Sequence, residues 1–123
     1  MMNKRLMKQV KALQLGDLVR VEWFDASVGR SLRGGGIDIP VKSWGIYLGM
    51  LGEKKKHIIL AQNNFSFTDG LYDVDYTAIP LSWSVEIVVC SGQEISLEEA
   101  KMLLSSFLQG RYRTLKQKIV NHS

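Results

Sequence analysis

Apolar residues in the first part of the chain recur at three- and four-residue steps, with lysines between them. The apolar positions are Leu6, Met7, Val10 and Leu13. This spacing places apolar side chains on one face of a helix. It therefore predicts a short amphipathic helix within residues 1–15, over Asn3–Leu15, which Gly16 ends.

From Asp17 onward apolar and polar residues alternate, which is the pattern of half-buried strands. The pattern predicts five strands, at about 17–24, 43–51, 57–61, 72–77 and 85–90. Residues 58–61 are all apolar, so the third strand is expected to be buried on both faces. In the second strand, the face opposite Tyr47 is expected to carry Trp44, Ile46, Leu48 and Met50.

The connections between these strands differ in length. The first, 25–41, is about fifteen residues long and holds the run Gly34-Gly35-Gly36, and connections of that length tend to be functional or mobile. The segment 52–56 reads as a hairpin tip, and 63–70 is rich in turn-forming residues. Pro80 is expected to end the fourth strand.

A capping box marks the start of a second helix. In Ser96-Leu97-Glu98-Glu99, the serine oxygen can accept an amide of the first turn while a glutamate reaches back. The predicted helix covers 96–120, and its apolar positions recur at near-heptad spacing at Leu97, Leu104, Leu108, Tyr112, Leu115 and Ile119. Gly110 leaves open whether this helix continues to Val120 or breaks.

The order helix, five strands, helix indicates an α+β fold that is mainly β. The hairpin connections are too short for parallel crossovers, so the sheet is expected to be antiparallel. Gly45 and Gly49 inside a strand favour a sharp bend. We expect one domain over 1–123, with a small, strongly bent antiparallel SH3-like or Sm-like barrel over 17–90.

The net charge of +4 is unevenly placed along the chain. Residues 1–11 hold four bases and no acid, 101–123 hold five bases and no acid, and 61–100 hold seven acids but no Lys or Arg. With 46% hydrophobic and 23% charged residues, the composition is that of an ordinary soluble domain and excludes a disordered, collagen-like or coiled-coil chain. The basic ends favour a polyanionic partner.

The number of cysteines and the lengths of the apolar segments indicate the cellular compartment of the protein. The single cysteine, Cys90, cannot form an intramolecular disulfide. The first twenty residues contain no apolar segment typical of a signal peptide, and no stretch approaches the ~20 apolar residues that span a bilayer. A cytoplasmic protein without integral membrane association is expected.

Four short segments resemble parts of a loose set of short uncharacterised microbial and phage β proteins with a V-x-W-x-D-A start. The segments are 21–27, Ser43-Trp44-Gly45, 58–61 and Ile79-Pro80. The resemblance covers roughly 16–90 and implies a compact β domain but no activity. More distantly, the bent glycine strand, the apolar middle strand and the I-P ending look like the Sm-like RNA-binding barrel. The asparagine and arginine-glycine motifs of that family are absent from this sequence, so its uridine site does not carry over.

No residue pattern here indicates an enzyme. Cys90 has no neighbouring base in sequence, and no G-x-S-x-G or P-loop motif occurs. Two histidines, His57 and His122, make a zinc site improbable, and the order of Asp69, Asp73 and Asp75 does not match a calcium loop. A weak cation site at Asp73 and Asp75 remains open beside a solvated surface. We therefore expect a non-enzymatic protein without cofactor or metal.

Lys54, Lys55 and Lys56 give the clearest signal for a partner, because lysines at a hairpin tip can neutralise phosphates. We expect RNA or DNA binding by a set of residues, although a solvated surface would explain the same lysines. The expected set is Lys54, Lys55, Lys56, Arg111, Arg113, Lys116 and Lys118 on phosphates, Arg33 before the glycine run, and Tyr47 as a ring that stacks on a base. Alternatively, Arg33 lies in a flexible loop and Tyr47 covers glycine backbone.

A different class of function is also consistent with the pattern. An apolar stripe of the second helix could pair with a partner or a second copy, with the acidic 61–100 of one chain meeting the basic 101–123 of another. The stripe consists of Leu104, Leu108, Leu115 and Ile119. This alternative is a protein-interaction or self-assembly module, a homo-oligomer with no nucleic-acid ligand.

Overall fold

The computed structural model of the chain describes residues 3–25, 39–66 and 72–108. The elements follow in the order α1 (Lys4–Ala12), β1 (Leu18–Asp25), β2 (Ile39–Leu51), β3 (His57–Ser66), β4 (Tyr72–Pro80), a 3₁₀ turn (Leu81–Trp83) and β5 (Ser84–Ser91). A second helix, α2, follows over 97–108. The fold is α+β and mainly β, as predicted.

The first helix begins at a capped position and packs by one face. The Asn3 side chain accepts a hydrogen bond from the amide of Leu6 at 2.7 Å, which satisfies one of the amides left free at a helix start. Leu6 is 2% exposed, and Val10 packs against the same core. The helix ends at Ala12, three residues before the predicted Leu15.

The five strands form one antiparallel sheet in the order β4-β3-β2-β1-β5. β1 and β2 pair from Leu18 opposite Ile46 to Asp25 opposite Ile39, so β2 begins four residues before the predicted Ser43. β4 and β5 are the edges of the sheet, and no ladder joins them among the described residues. The described sheet is therefore not a closed barrel.

Apolar side chains cover both faces of the sheet. On the inner face, Leu6 of α1 packs in a core with side chains of the sheet, namely Val19, Val21, Tyr47, Ile58, Leu60, Ile79 and Ile87. On the outer face, Ala100 and Leu103 of α2 pack in a core with side chains of the sheet, namely Leu48, Ile59, Ala61 and Val74. Residues 58–61 alternate between the two cores, which confirms that β3 is buried on both sides.

A bulge in β2 changes which side chains share a face. Tyr47 lies opposite Leu60 while Gly49 lies opposite Ile59, so Leu48 is one extra residue in the strand. Gly49 has φ +129°, a conformation that favours glycine. Beyond the bulge, Met50 packs on the inner face with Tyr47, so its predicted place on the opposite face was wrong.

The second helix begins at the predicted cap, and its packed face is shifted from the predicted one, since Leu104 of the predicted stripe packs against the outer core beside Ala100 and Leu103. The Ser96 hydroxyl accepts a hydrogen bond from the Glu99 amide at 3.1 Å. The predicted stripe included Leu108, which is 54% exposed, whereas Ala100 and Leu103 are buried. Because Ala100 is small, the helix can lie close to the sheet there. A prediction based on leucines at near-heptad spacing does not include such a residue. The rest of the predicted helix, 109–120, lies outside the described residues.

A buried carboxylate joins the turn before β1 to the turn after β5, which lie at the same end of the sheet. Asp17 is 3% exposed, and its two oxygens accept the amides of Gln14 at 2.9 Å and Gln93 at 2.8 Å. Its carbonyl also accepts the Tyr47 amide at 2.8 Å. Asp17 therefore connects the segment after α1 to β2 and to the turn before α2.

Candidate functional site

The predicted hairpin tip is present between β2 and β3, and all of residues 52–56 are exposed. Gly52 has φ +115°, and a Cβ there would collide with the carbonyl oxygen of Lys55. The His57 Nδ1 atom lies 3.0 Å from the same carbonyl oxygen. This tight turn presents Lys54, Lys55 and Lys56 to solvent side by side.

The charges of the tip are not neutralised by described neighbours. Two ion pairs between described residues join Arg5 to Glu86 at 2.5 Å and Arg20 to Glu22 at 3.3 Å. None of the three lysines of the tip takes part in either pair. Glu53 is the acid nearest to them in sequence. The tip is therefore a compact cationic surface.

The tip lies beside the 3₁₀ turn. The Leu81 amide donates to the Lys56 carbonyl at 2.8 Å, and Pro80 lies opposite His57 at the end of the β3–β4 ladder. Trp83 is two residues beyond Leu81, so their Cα atoms are at most about 7.6 Å apart. The bond from Leu81 to Lys56 thus ties the turn that carries Trp83 to the hairpin that carries the lysines.

Trp83 stacks on Trp23 from the end of β1. The ring centroids are 6.4 Å apart and the planes are inclined by 15°. The Trp23 indole N–H donates to the Ser43 hydroxyl at 3.0 Å, which fixes that ring on the sheet. Both rings are half-buried, so part of the aromatic surface is accessible. We call Trp23 and Trp83 the tryptophan pair.

The tryptophan pair was not predicted from the sequence. The sequence placed Trp23 in a predicted strand with no special role, and it placed Trp83 in the short connection after Pro80. A tryptophan three residues after a proline-ended strand is a weak signal of a binding site, because its neighbours in space come from distant segments. The Leu81–Lys56 hydrogen bond links the 3₁₀ turn to the tip, and Trp23 joins it through its contact with Trp83.

The predicted stacking role of Tyr47 was wrong. Its side chain is 8% exposed and lies in the inner core. Desolvation by burial raises the pKa of the Tyr47 phenol above its ordinary value. A ring enclosed in this way offers no face to a base.

The other predicted contacts lie outside the described residues. Arg33 belongs to 26–38, and the C-terminal set Arg111, Arg113, Lys116 and Lys118 belongs to 109–123. The described residues hold ten acids and ten bases, so the net charge of +4 belongs to the remaining segments. Whether these segments approach the tip stays a prediction.

A second accessible surface lies on the outer face of β1 and β2, beyond the part that α2 covers. Trp44 is 51% exposed and Phe24 is 44% exposed. Arg20 lies opposite Trp44, and Glu22 lies opposite Lys42 in the same two strands. We call this surface the outer-face patch.

Few groups among the described residues could bind a metal ion or act as a nucleophile. No group of three or more His, Cys, Asp or Glu side chains comes together among them. Cys90 is exposed, with its thiol 3.9 Å from the carbonyl oxygen of Val88. Asp75 accepts a hydrogen bond from the Asn63 side chain at 3.1 Å.

No described helix is both long enough and apolar enough to cross a membrane.

Comparisons of the chain with protein-family models, curated proteins and solved structures found no match.

Proposed function

We propose that this protein binds nucleic acid without catalysing a reaction, and that Lys54, Lys55 and Lys56 contact its phosphates. The observation that carries the proposal is the presence of three consecutive exposed lysines on one tight hairpin, none of them paired with a described carboxylate. Lysines that neutralise phosphates release counterions, which gives an affinity that depends little on sequence and strongly on salt. The basic segment 109–123 would add to this attraction if it approaches the tip.

The proposal includes a finer description of the fold, a small SH3-like or Sm-like barrel. It is supported by the strand order β4-β3-β2-β1-β5 and by the three-residue turn that links the two edge strands. In such a barrel the curled sheet would bring β4 and the start of β5 toward each other. A cytoplasmic location belongs to the same proposal, since nucleic acid is encountered there.

The test compares two variants with equal changes in charge. The first replaces Lys54, Lys55 and Lys56 by Gln at the tip, and the second replaces three exposed lysines of α1, namely Lys4, Lys8 and Lys11, by Gln. Binding of labelled RNA and DNA is measured at several salt concentrations. We expect the tip variant to lose affinity at low salt and the α1 variant to lose less. For a single strand, the slope of log K against log salt should become shallower by about 2 in the tip variant.

Either of two results would remove the proposal. One is that the wild-type protein binds neither RNA nor DNA at low salt. The other is that the tip variant and the α1 variant bind equally well, since a general effect of net charge would then explain the affinity.

The outer-face patch favours a second candidate function, self-assembly or binding of a protein partner. Exposed Trp44 and Phe24 lie on one sheet face, on either side of the Glu22 and Lys42 pair, and aromatic residues are enriched at protein interfaces. Light scattering over a range of concentrations tests self-assembly. A dimer that Trp44→Ser converts to a monomer would support it, and a monomer at all concentrations would exclude it.

A further inference from the structure

We propose that the tryptophan pair makes the binding site selective for single-stranded nucleic acid, with an unpaired base lying against Trp83. This inference rests on the proposed function, because it assigns a ligand class to the site formed by the lysine tip and the 3₁₀ turn.

The first step concerns how Trp83 is held. The 3₁₀ turn is tied at its start by the Leu81 amide on the Lys56 carbonyl at 2.8 Å. It is closed at its end by the Ser84 hydroxyl, which donates to the Pro80 carbonyl at 3.2 Å. The ring itself rests on Trp23. Trp83 is thus positioned before any ligand arrives, so little conformational freedom is lost on binding.

The second step concerns what fits an aromatic ring beside lysines. A nucleic-acid strand carries a phosphate and a base in every repeat, and the site offers the cations of the tip together with the Trp83 ring, which the backbone bond from Leu81 to Lys56 ties to the same hairpin. Every base has a flat face, and stacking on an aromatic side chain tolerates any sequence. In a duplex these faces are already stacked on neighbouring base pairs. A single strand can therefore use both parts of the site, whereas a duplex can use only the lysines.

The third step separates this ligand from other polyanionic surfaces. The tip itself consists of Gly52, Glu53 and the three lysines, and Trp83 is half-buried and rests on Trp23 in a tied turn, an arrangement that suits a flat base better than insertion into a lipid surface. Unpaired positive charge next to accessible aromatic surface is complementary to a polyanion that carries rings. A protein partner would have to supply acidic residues as well as an aromatic or apolar group.

The experiment compares Trp83→Leu with Trp44→Leu, because Trp44 is exposed on the outer-face patch away from the tip. The probes are an oligothymidylate of about 12 nucleotides, a duplex of the same length, and heparin, a polyanion without bases. We expect Trp83→Leu to weaken oligothymidylate binding by about 5- to 100-fold, the range for loss of one stacked base. Its affinity for the duplex and heparin should stay within about twofold of wild type, and Trp44→Leu should change none of the three.

A fluorescence measurement decides the question should Trp83→Leu fail to fold. In a Trp44→Phe background the remaining tryptophans are Trp23 and Trp83. We expect oligothymidylate to quench their emission and heparin, at equal occupancy, to leave it unchanged. Equal quenching by both, or by neither, would overturn the inference.

The outcomes separate the two proposals. If no polyanion binds at low salt, the proposed function fails and this inference fails with it. If polyanions bind but Trp83→Leu weakens all three probes equally, or none of them, nucleic-acid binding stands and the stacking site is wrong. Tighter binding of the wild-type protein to the duplex than to oligothymidylate would also contradict the inference.

Discussion

Asp17 shows how a single residue can hold several connections in place. Its carboxylate is buried and accepts backbone amides from Gln14 and Gln93, which lie before β1 and after β5. The sequence placed Asp17 at the start of the alternating pattern but gave no sign of these bonds, because Gln93 is remote in the chain. Gly16 beside it has φ +97° and lies against Ile95, another contact that sequence alone does not reveal.

Replacing Asp17 by Ala should lower the free energy of unfolding by about 2–4 kcal/mol, since two buried amides lose a charged acceptor. Asp17→Asn keeps one side-chain oxygen and should cost less. Urea unfolding followed by circular dichroism measures both. Equal stability of Asp17→Ala and wild type would contradict the structural role assigned to this carboxylate.

The raised pKa of the Tyr47 phenol predicts how the stability of the fold depends on pH. Burial raises the pKa of its phenol in the folded state, so the folded protein binds this proton more tightly than the unfolded chain does. The resulting stability is present below the ordinary tyrosine pKa and is lost as the pH rises through the folded pKa. Titration of the tyrosinate absorbance should show a late-titrating component that Tyr47→Phe removes. If Tyr47→Phe left the amount of late-titrating absorbance unchanged, another residue would be responsible.

At the scale of elements, the alternating and helical patterns were sufficient to locate both helices and all five strands. They failed where a local irregularity changed the period. The extra residue at Leu48 moved Met50 to the inner face, and β3 continued past its predicted end at Ala61 to Ser66. Hydrophobic periodicity assumes an unbroken ladder, so it does not reveal a bulge.

The packing face of α2 gives an element-scale prediction. Leu103 is buried in the outer core, and its carbonyl accepts the Tyr76 hydroxyl at 2.9 Å, whereas Leu108 is exposed. Leu103→Ala should lower the free energy of unfolding by about 2–4 kcal/mol. Leu108→Ala, the matched control, should change it by less than about 0.5 kcal/mol. Thermal unfolding of both variants tests this, and the reverse ranking would mean that Leu108 rather than Leu103 lies on the packed face.

At the scale of the whole molecule, the sequence identified the charged half of the candidate site and missed the aromatic half. Lys54–Lys56 are adjacent in sequence, so a local pattern was enough to find them. Trp23 and Trp83 meet only because the sheet brings the end of β1 next to the 3₁₀ turn. Tyr47 was chosen because glycines flank it in sequence, but the fold of the sheet buries it.

The central claim is that nucleic acid binds at the hairpin tip and the 3₁₀ turn. Backbone amide NMR shifts, recorded while oligothymidylate is added to the full chain, locate the contact directly. We expect the largest shifts at residues 52–57 and 81–84, where the tip and the turn adjoin. Shifts centred on Phe24 and Trp44 of the outer-face patch, or no shifts at low salt, would contradict the account.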